Sequence, residues 1–140
     1  MPKMNGLTTN TQIIQPLTEE LLAEIVRRIV EGAHPERIIL FGSYAYGTPT
    51  KDSDVDLIIV KRDVESKRRE SVRIRRLLRG ILLPFDIIVV RPEEFEFYKD
   101  EPGSVFKEAF RKGVVIYDAE TMADLHLVIW SSHCKQREMI

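Results

Sequence analysis

Two apolar runs, LIIV at 57–60 and IIVV at 87–90, each follow an aspartate, and a helix-length charged segment separates them. No other feature constrains the fold of this chain as much. Short aliphatic and β-branched runs bounded by turn formers read as strands. Val72, Ile74, Leu77 and Leu78 form a narrow apolar stripe in the intervening segment, so 64–80 is expected to be a surface helix. Such a crossover permits the two strands to lie parallel and adjacent, which a hairpin could not do. The later strand, PFDIIVVRP at 84–92, is continuous enough to predict burial on both faces.

The remaining segments fit around this pair. Thr18 followed by Glu19 and Glu20 is a helix start, with Leu22, Ile25, Val26, Ile29 and Val30 at helical spacing and Gly32 and Pro35 as its stop. RIILFGS is a strand ended by Gly42, and DVDLIIVKR at 54–62 is the next. Pro92 opens a further helix, SVFKEAFRKG forms an amphipathic one closed by Gly113, and VVIYD is a last strand. The class is therefore α/β, or α+β, with a mixed β-sheet flanked by helices. Residues 1–15 read as a flexible arm and 16–118 as the domain. The tail at 119–140 contains LHLVIW, which fits a strand or a helix.

A length of 140 residues with 44% hydrophobic and 31% charged residues bounds this to one globular domain. No apolar run approaches the roughly 20 residues a membrane span needs, and the first residues lack a signal-peptide core. The single Cys134 allows no intrachain disulfide, so a cytoplasmic protein is expected. Net charge is −1, but residues 61–79 hold nine Lys or Arg against three acids. That basic helix is a solvated face or a contact for an acidic partner. Aromatic residues do not interleave its charges, which argues against nucleic acid.

The chemistry concentrates around the aspartates. Asp54 and Asp56 lie two apart on a strand, so both side chains point to one face. Two carboxylates held so close repel unless a cation joins them, and Mg2+ suits an oxygen-only ligand set. Asp86 joins them if its strand neighbours theirs, and three carboxylates can hold two ions. Gly42 and Ser43, at a strand end, offer backbone N–H groups and a hydroxyl to phosphate. Phosphate donors facing metal-binding acids describe a site for a nucleoside triphosphate.

Gly42-Ser43-x10-Asp54-x-Asp56, with Asp86 on a later strand, resembles the signature of the DNA polymerase β-like nucleotidyltransferase superfamily. Between Leu21 and Tyr117 the chain is similar to the minimal nucleotidyltransferases, antitoxins often paired with HEPN toxins. The resemblance implies that Gly42 and Ser43 contact the triphosphate of ATP and that Asp54, Asp56 and Asp86 bind two Mg2+ ions. It also implies that Asp86 helps to deprotonate the acceptor hydroxyl. The implied reaction is transfer of AMP to a hydroxyl, with a tyrosine of a HEPN toxin as the expected acceptor. Alternatives are transfer to a small molecule such as an antibiotic, and neutralisation of a toxin by binding alone. The resemblance implies that the chain would be the antitoxin half. A partner protein, or a second copy in a homo-oligomer, would wall the acceptor side. One position departs from the pattern: many relatives carry Arg where this chain has Tyr46, and Lys51 is the nearby cation considered as its replacement.

Plainer readings stand beside these. Asp52 with Ser53 reads as a turn, and Asp54 with Asp56 could be one too. A salt bridge from Asp86 to an arginine of the basic helix is the structural alternative for that residue. Tyr44 and Tyr46 suggest loop packing or partner contact. His126, His133 and Cys134 match no closed metal pattern, and Phe95, Phe97, Phe106 and Phe110 suggest packing.

Overall fold

The computed structural model describes residues 17–50 and 52–121. The expected arm at 1–15, most of the tail, and Lys51, His126, His133 and Cys134 lie outside them. Helix α1 spans Glu19–Ala33, and the Thr18 hydroxyl accepts from the Leu21 N–H at 3.1 Å. Leu22, Ile25, Val26 and Ile29 are buried on one face, as the helical spacing dictates. Gly32 does not end the helix. It lies inside it, where a Cβ would come within 2.6 Å of the end of the Leu77 side chain. The stop is His34, left-handed at φ 53°, whose N–H donates to the Val30 carbonyl.

Strand β1 (Arg37–Phe41) leads through a one-turn helix α2 (Ser43–Tyr46) to β2 (Val55–Val60). Helix α3 (Lys67–Leu77) is capped by the Ser66 hydroxyl on the Arg69 N–H at 3.2 Å and precedes β3 (Phe85–Val90). Then come α4 (Pro92–Tyr98), α5 (Val105–Lys112) and β4 (Val114–Asp118). Strands run in the order β3-β2-β1-β4. The β2–β3 pair is parallel, while β1 is antiparallel to both β2 and β4, so the sheet is mixed as expected.

Period-2 alternation divides the sheet residues between two cores. Val55, Leu57, Ile59, Ile87 and Val89 face α1 and α3 in the larger one. Ile58, Val60, Val90, Ile39 and Phe41 face α4 and α5 in the smaller one, around Phe95 and Ala109. Ile58 is fully buried, and its truncation to Ala would cost about 2–5 kcal/mol. Burial of β3 on both faces is not observed. It is an edge strand, Ile88 is only half-buried, and Asp86 is exposed.

The basic helix is partly committed to structure. Arg73 donates to the Gly32 carbonyl at 2.8 Å and pairs with Glu70, and Lys67 pairs with Glu94 at 2.9 Å. Among the described residues no helix is long and apolar enough to cross a membrane.

Candidate active site

The smaller face of the sheet changes character along its length. Ile58 and Val60 meet the helices, but the same alternation puts Asp56 on that face at the strand's beginning. In-register pairing sets Asp56 beside Asp86 on β3 and beside Phe41 on β1. Asp54 falls just before β2 rather than inside it, yet its charge still acts on Asp56. The structure thus sets Asp56 beside Asp86, with Asp54 near enough for its charge to act on Asp56.

Half-buried Asp56 has its carboxyl pushed up from 3.8 to about 6. Burial is the largest cause, followed by the charges of Asp86 and Asp54. Among the described residues none of the three carboxylates accepts a hydrogen bond or forms an ion pair. The salt bridge considered for Asp86 is not formed. Arg75 comes to the start of β3 but donates to the Phe85 carbonyl at 3.4 Å.

Among the described residues no three carboxylate, imidazole or thiol groups are gathered into a finished metal cage. Asp56 feels the charges of both Asp86 and Asp54. The donor set is oxygen only, partly desolvated at Asp56 and unpartnered among the described residues, which fits a hard divalent cation.

The opposing wall is the turn after β1. Gly42 has φ 75°, and a Cβ on it would coincide with the Oδ2 of Asp56, so the glycine is required twice over. Its carbonyl accepts from the N–H groups of Ala45 and Tyr46, both at 3.0 Å, and Gly47 closes the turn in a left-handed conformation. Ser43 opens this turn beside the carboxylates, half-buried. Tyr44 and Tyr46 pack against the larger core, as loop packing predicts.

The segment 50–53 is a turn, held by hydroxyls. The Thr50 N–H donates to Ser53 Oγ at 2.8 Å, and the Asp52 N–H donates to Thr50 Oγ1. What the sequence did not reveal is the cation beside the turn: Lys112 of α5 places its Nζ 5.8 Å from the centroid of the Tyr46 ring. Only the pairing of β4 with β1 creates that contact.

A cleft of about 400 Å3 opens at the opposite end of the sheet, lined by residues including Glu36, Arg37, Arg62, Phe95 and Asp118. Four of the charged residues in its lining form two ion pairs, Arg62 with Glu36 and Arg37 with Asp118. The unpaired chemistry lies with the aspartates.

Comparison with known proteins agrees with this geometry. The family model described as a nucleotidyltransferase domain matches residues 19–126. A Methanocaldococcus jannaschii protein named "putative protein adenylyltransferase" is 44% identical over 48 residues, which are 34% of this chain and 31% of the relative. The match therefore spans about a third of that relative's length. The crystal structure of a "putative nucleotidyltransferase" from Sulfolobus solfataricus superposes with a TM-score of 0.52 at 21% identity, covering 88% of this chain and 96% of the other. A chain in the crystal structure of a toxin–antitoxin with AMP-PNP gives 0.55 at 18% identity, covering 88% and 91%. At these identities the structural likeness is one of fold. The family match covers well over half of the chain, through both the turn and all three aspartates, and the chain belongs to the nucleotidyltransferase domain family.

Proposed function

We propose that this chain transfers AMP from ATP to a hydroxyl of a partner protein, as the antitoxin of a toxin–antitoxin pair. The carrying observation is Asp56, which meets Gly42 of the turn, has Asp86 and Asp54 acting on it, and has its acidity shifted first by burial and then by those two charges, with no ion pair among the described residues for any of the three. Family membership supports the transfer chemistry. The name of the archaeal relative supports a protein acceptor, and the AMP-PNP-bound toxin–antitoxin neighbour supports the nucleotide and the kind of partner. A tyrosine of a HEPN-type toxin is the acceptor we favour.

In this reading Asp54 and Asp56 hold Mg2+, and Asp86 completes the ligand set. Two such ions would neutralise charge on the phosphates and lower the pKa of a nearby hydroxyl. The turn N–H groups and the Ser43 hydroxyl donate to phosphate oxygens and fix the triphosphate. Asp86, exposed on its strand, stands where an acceptor arriving from solvent can pass its proton to a carboxylate oxygen. The acceptor oxygen then forms its bond to the α-phosphorus as the bond to pyrophosphate breaks. Most of the rate comes from positioning and charge stabilisation.

The test is incubation of the purified chain with its toxin partner, Mg2+ and ATP labelled on the α-phosphate. Label should appear on the partner and be lost with Asp54→Ala combined with Asp56→Ala. Full neutralisation of the toxin by that double variant, with no label on any acceptor, would overturn the enzymatic reading in favour of neutralisation by binding.

A further inference from the structure

A triphosphate brings about four negative charges to the site, and the turn from Gly42 to Gly47 contains no Lys or Arg. Three carboxylates stand opposite it. Cations bound to those carboxylates offset part of this charge. Phosphate oxygens on the turn side still need a positive partner from elsewhere in the fold.

The sheet delivers one. Antiparallel pairing of Val114 with Leu40 brings the end of α5 alongside the exit of β1, where the turn begins. Gly113 allows this approach, because a Cβ there would come within 2.9 Å of Ile39 Cγ2 and 3.0 Å of the Leu40 carbonyl. Lys112 immediately precedes it and lies over the Tyr46 ring. It also pairs with Glu108 at 3.5 Å, one turn earlier on the same helix. Both partners of that pair are more than half exposed, so the pair itself is weak.

We propose that Lys112 is a ligand of the triphosphate, with the Tyr46 ring as the platform that holds its ammonium at the phosphate side. This rests on the function proposed above and adds to it the residue that charges the turn. The lysine stem is long and flexible, so its Nζ can leave the ring face for a phosphate oxygen without backbone movement. A tyrosine in the turn is then no deficit. It trades a charge of its own for a ring that positions one from α5.

Equilibrium binding of Mg·ATP and of AMP to the full chain tests this. Lys112→Met should weaken ATP binding about 10-fold or more, and Lys112→Arg should restore it to within about threefold of wild type. AMP binding should change far less in both. Arg111→Met removes the neighbouring cation, which faces a separate groove with Pro102 and Ser104, and should bind ATP like wild type. Thermal unfolding of each variant separates misfolding from lost contact. A folded Lys112→Met that binds ATP as tightly as wild type, or that loses ATP and AMP equally, overturns the proposal and leaves the proposed function standing. A wild-type chain that binds no Mg·ATP overturns both.

Discussion

The two ends of the sheet handle charge in opposite ways. At the end where β1 starts and β2 and β4 finish, Arg37 pairs with Asp118, Arg62 with Glu36, and Arg91 donates to the Val64 carbonyl at 2.7 Å. At the other end, Asp54, Asp56 and Asp86 gather with no partner of opposite sign among the described residues. Both ends lie on the same four strands, so strand architecture does not account for the difference. A fold that closes charges where it needs only stability, and leaves three like charges open elsewhere, reserves the open end for a ligand that supplies the missing sign.

The strongest test of that contrast is Asp86→Asn. On the proposed function it should lower AMP transfer by about 10²- to 10³-fold, because it would remove both a cation ligand and the proton acceptor. Asp86 is exposed and makes no hydrogen bond among the described residues, so the melting temperature should hold. A variant that transferred normally would place the acceptor elsewhere on the molecule.

Gly42→Ala comes next and should damage both activity and stability. The substitution strains a backbone at φ 75° and drives a methyl group into the Asp56 carboxylate, at a cost of about 2 kcal/mol. Thermal unfolding should show a fall of several degrees, together with lost nucleotide binding. A variant that melts like wild type would mean that the turn and Asp56 are not in contact.

How legible these ends are in the sequence differs, and the reason is range. The aspartate row is visible because alternation along LIIV and IIVV is local, and because a crossover of that length lets the two strands be parallel neighbours. Helix α1 is legible for the same reason, through its cap and spacing. The close approach of Leu77 to Gly32, more than forty residues apart, is a long-range contact that no local signal carries. Likewise the insertion of β1 between β2 and β4 is a long-range outcome, and with it the meeting of Lys112 and Tyr46. The exposure of Asp86 follows from β3 being an edge, which an apolar run alone does not disclose. The sequence marked a turn at Asp52 and Ser53, and the hydroxyls of Thr50 and Ser53 accept the backbone bonds there.

A smaller effect should appear in the pH dependence of stability without divalent cations. Asp56 has its folded-state carboxyl raised from 3.8 to about 6, so the folded chain binds that proton more tightly than the unfolded chain does. Its contribution is most favourable at low pH, falls as pH rises between those two values, and remains unfavourable above them. Asp56→Asn removes the ionisation and should stabilise the cation-free protein at pH 7.5 by on the order of 1 kcal/mol, a figure reduced for solvent screening of a partly exposed group. Denaturant unfolding should show that gain shrinking toward zero as pH falls below the ordinary aspartate range. Saturating Mg2+ should reverse the order at neutral pH by stabilising the wild type alone. Equal stability of the two at every pH would mean that the three charges do not oppose folding.

The smallest effect belongs to the closed end. Arg62→Ala breaks the pair with Glu36, but Arg62 is largely exposed, so the two charges interact through water and ordinary salt screens them. Glu36 keeps its backbone bonds, donating to the Val60 carbonyl and accepting from the Ala119 N–H, so the β1–β2 end stays tied without the side chain. Unfolding free energy should fall by no more than about 0.5 kcal/mol, with the difference vanishing in high salt. AMP transfer should be unchanged, because the pair lies at the far end of the strands from Asp56. A large loss of transfer from this substitution would show that the paired end also carries function, and the contrast between the two ends would then fail at its quieter side.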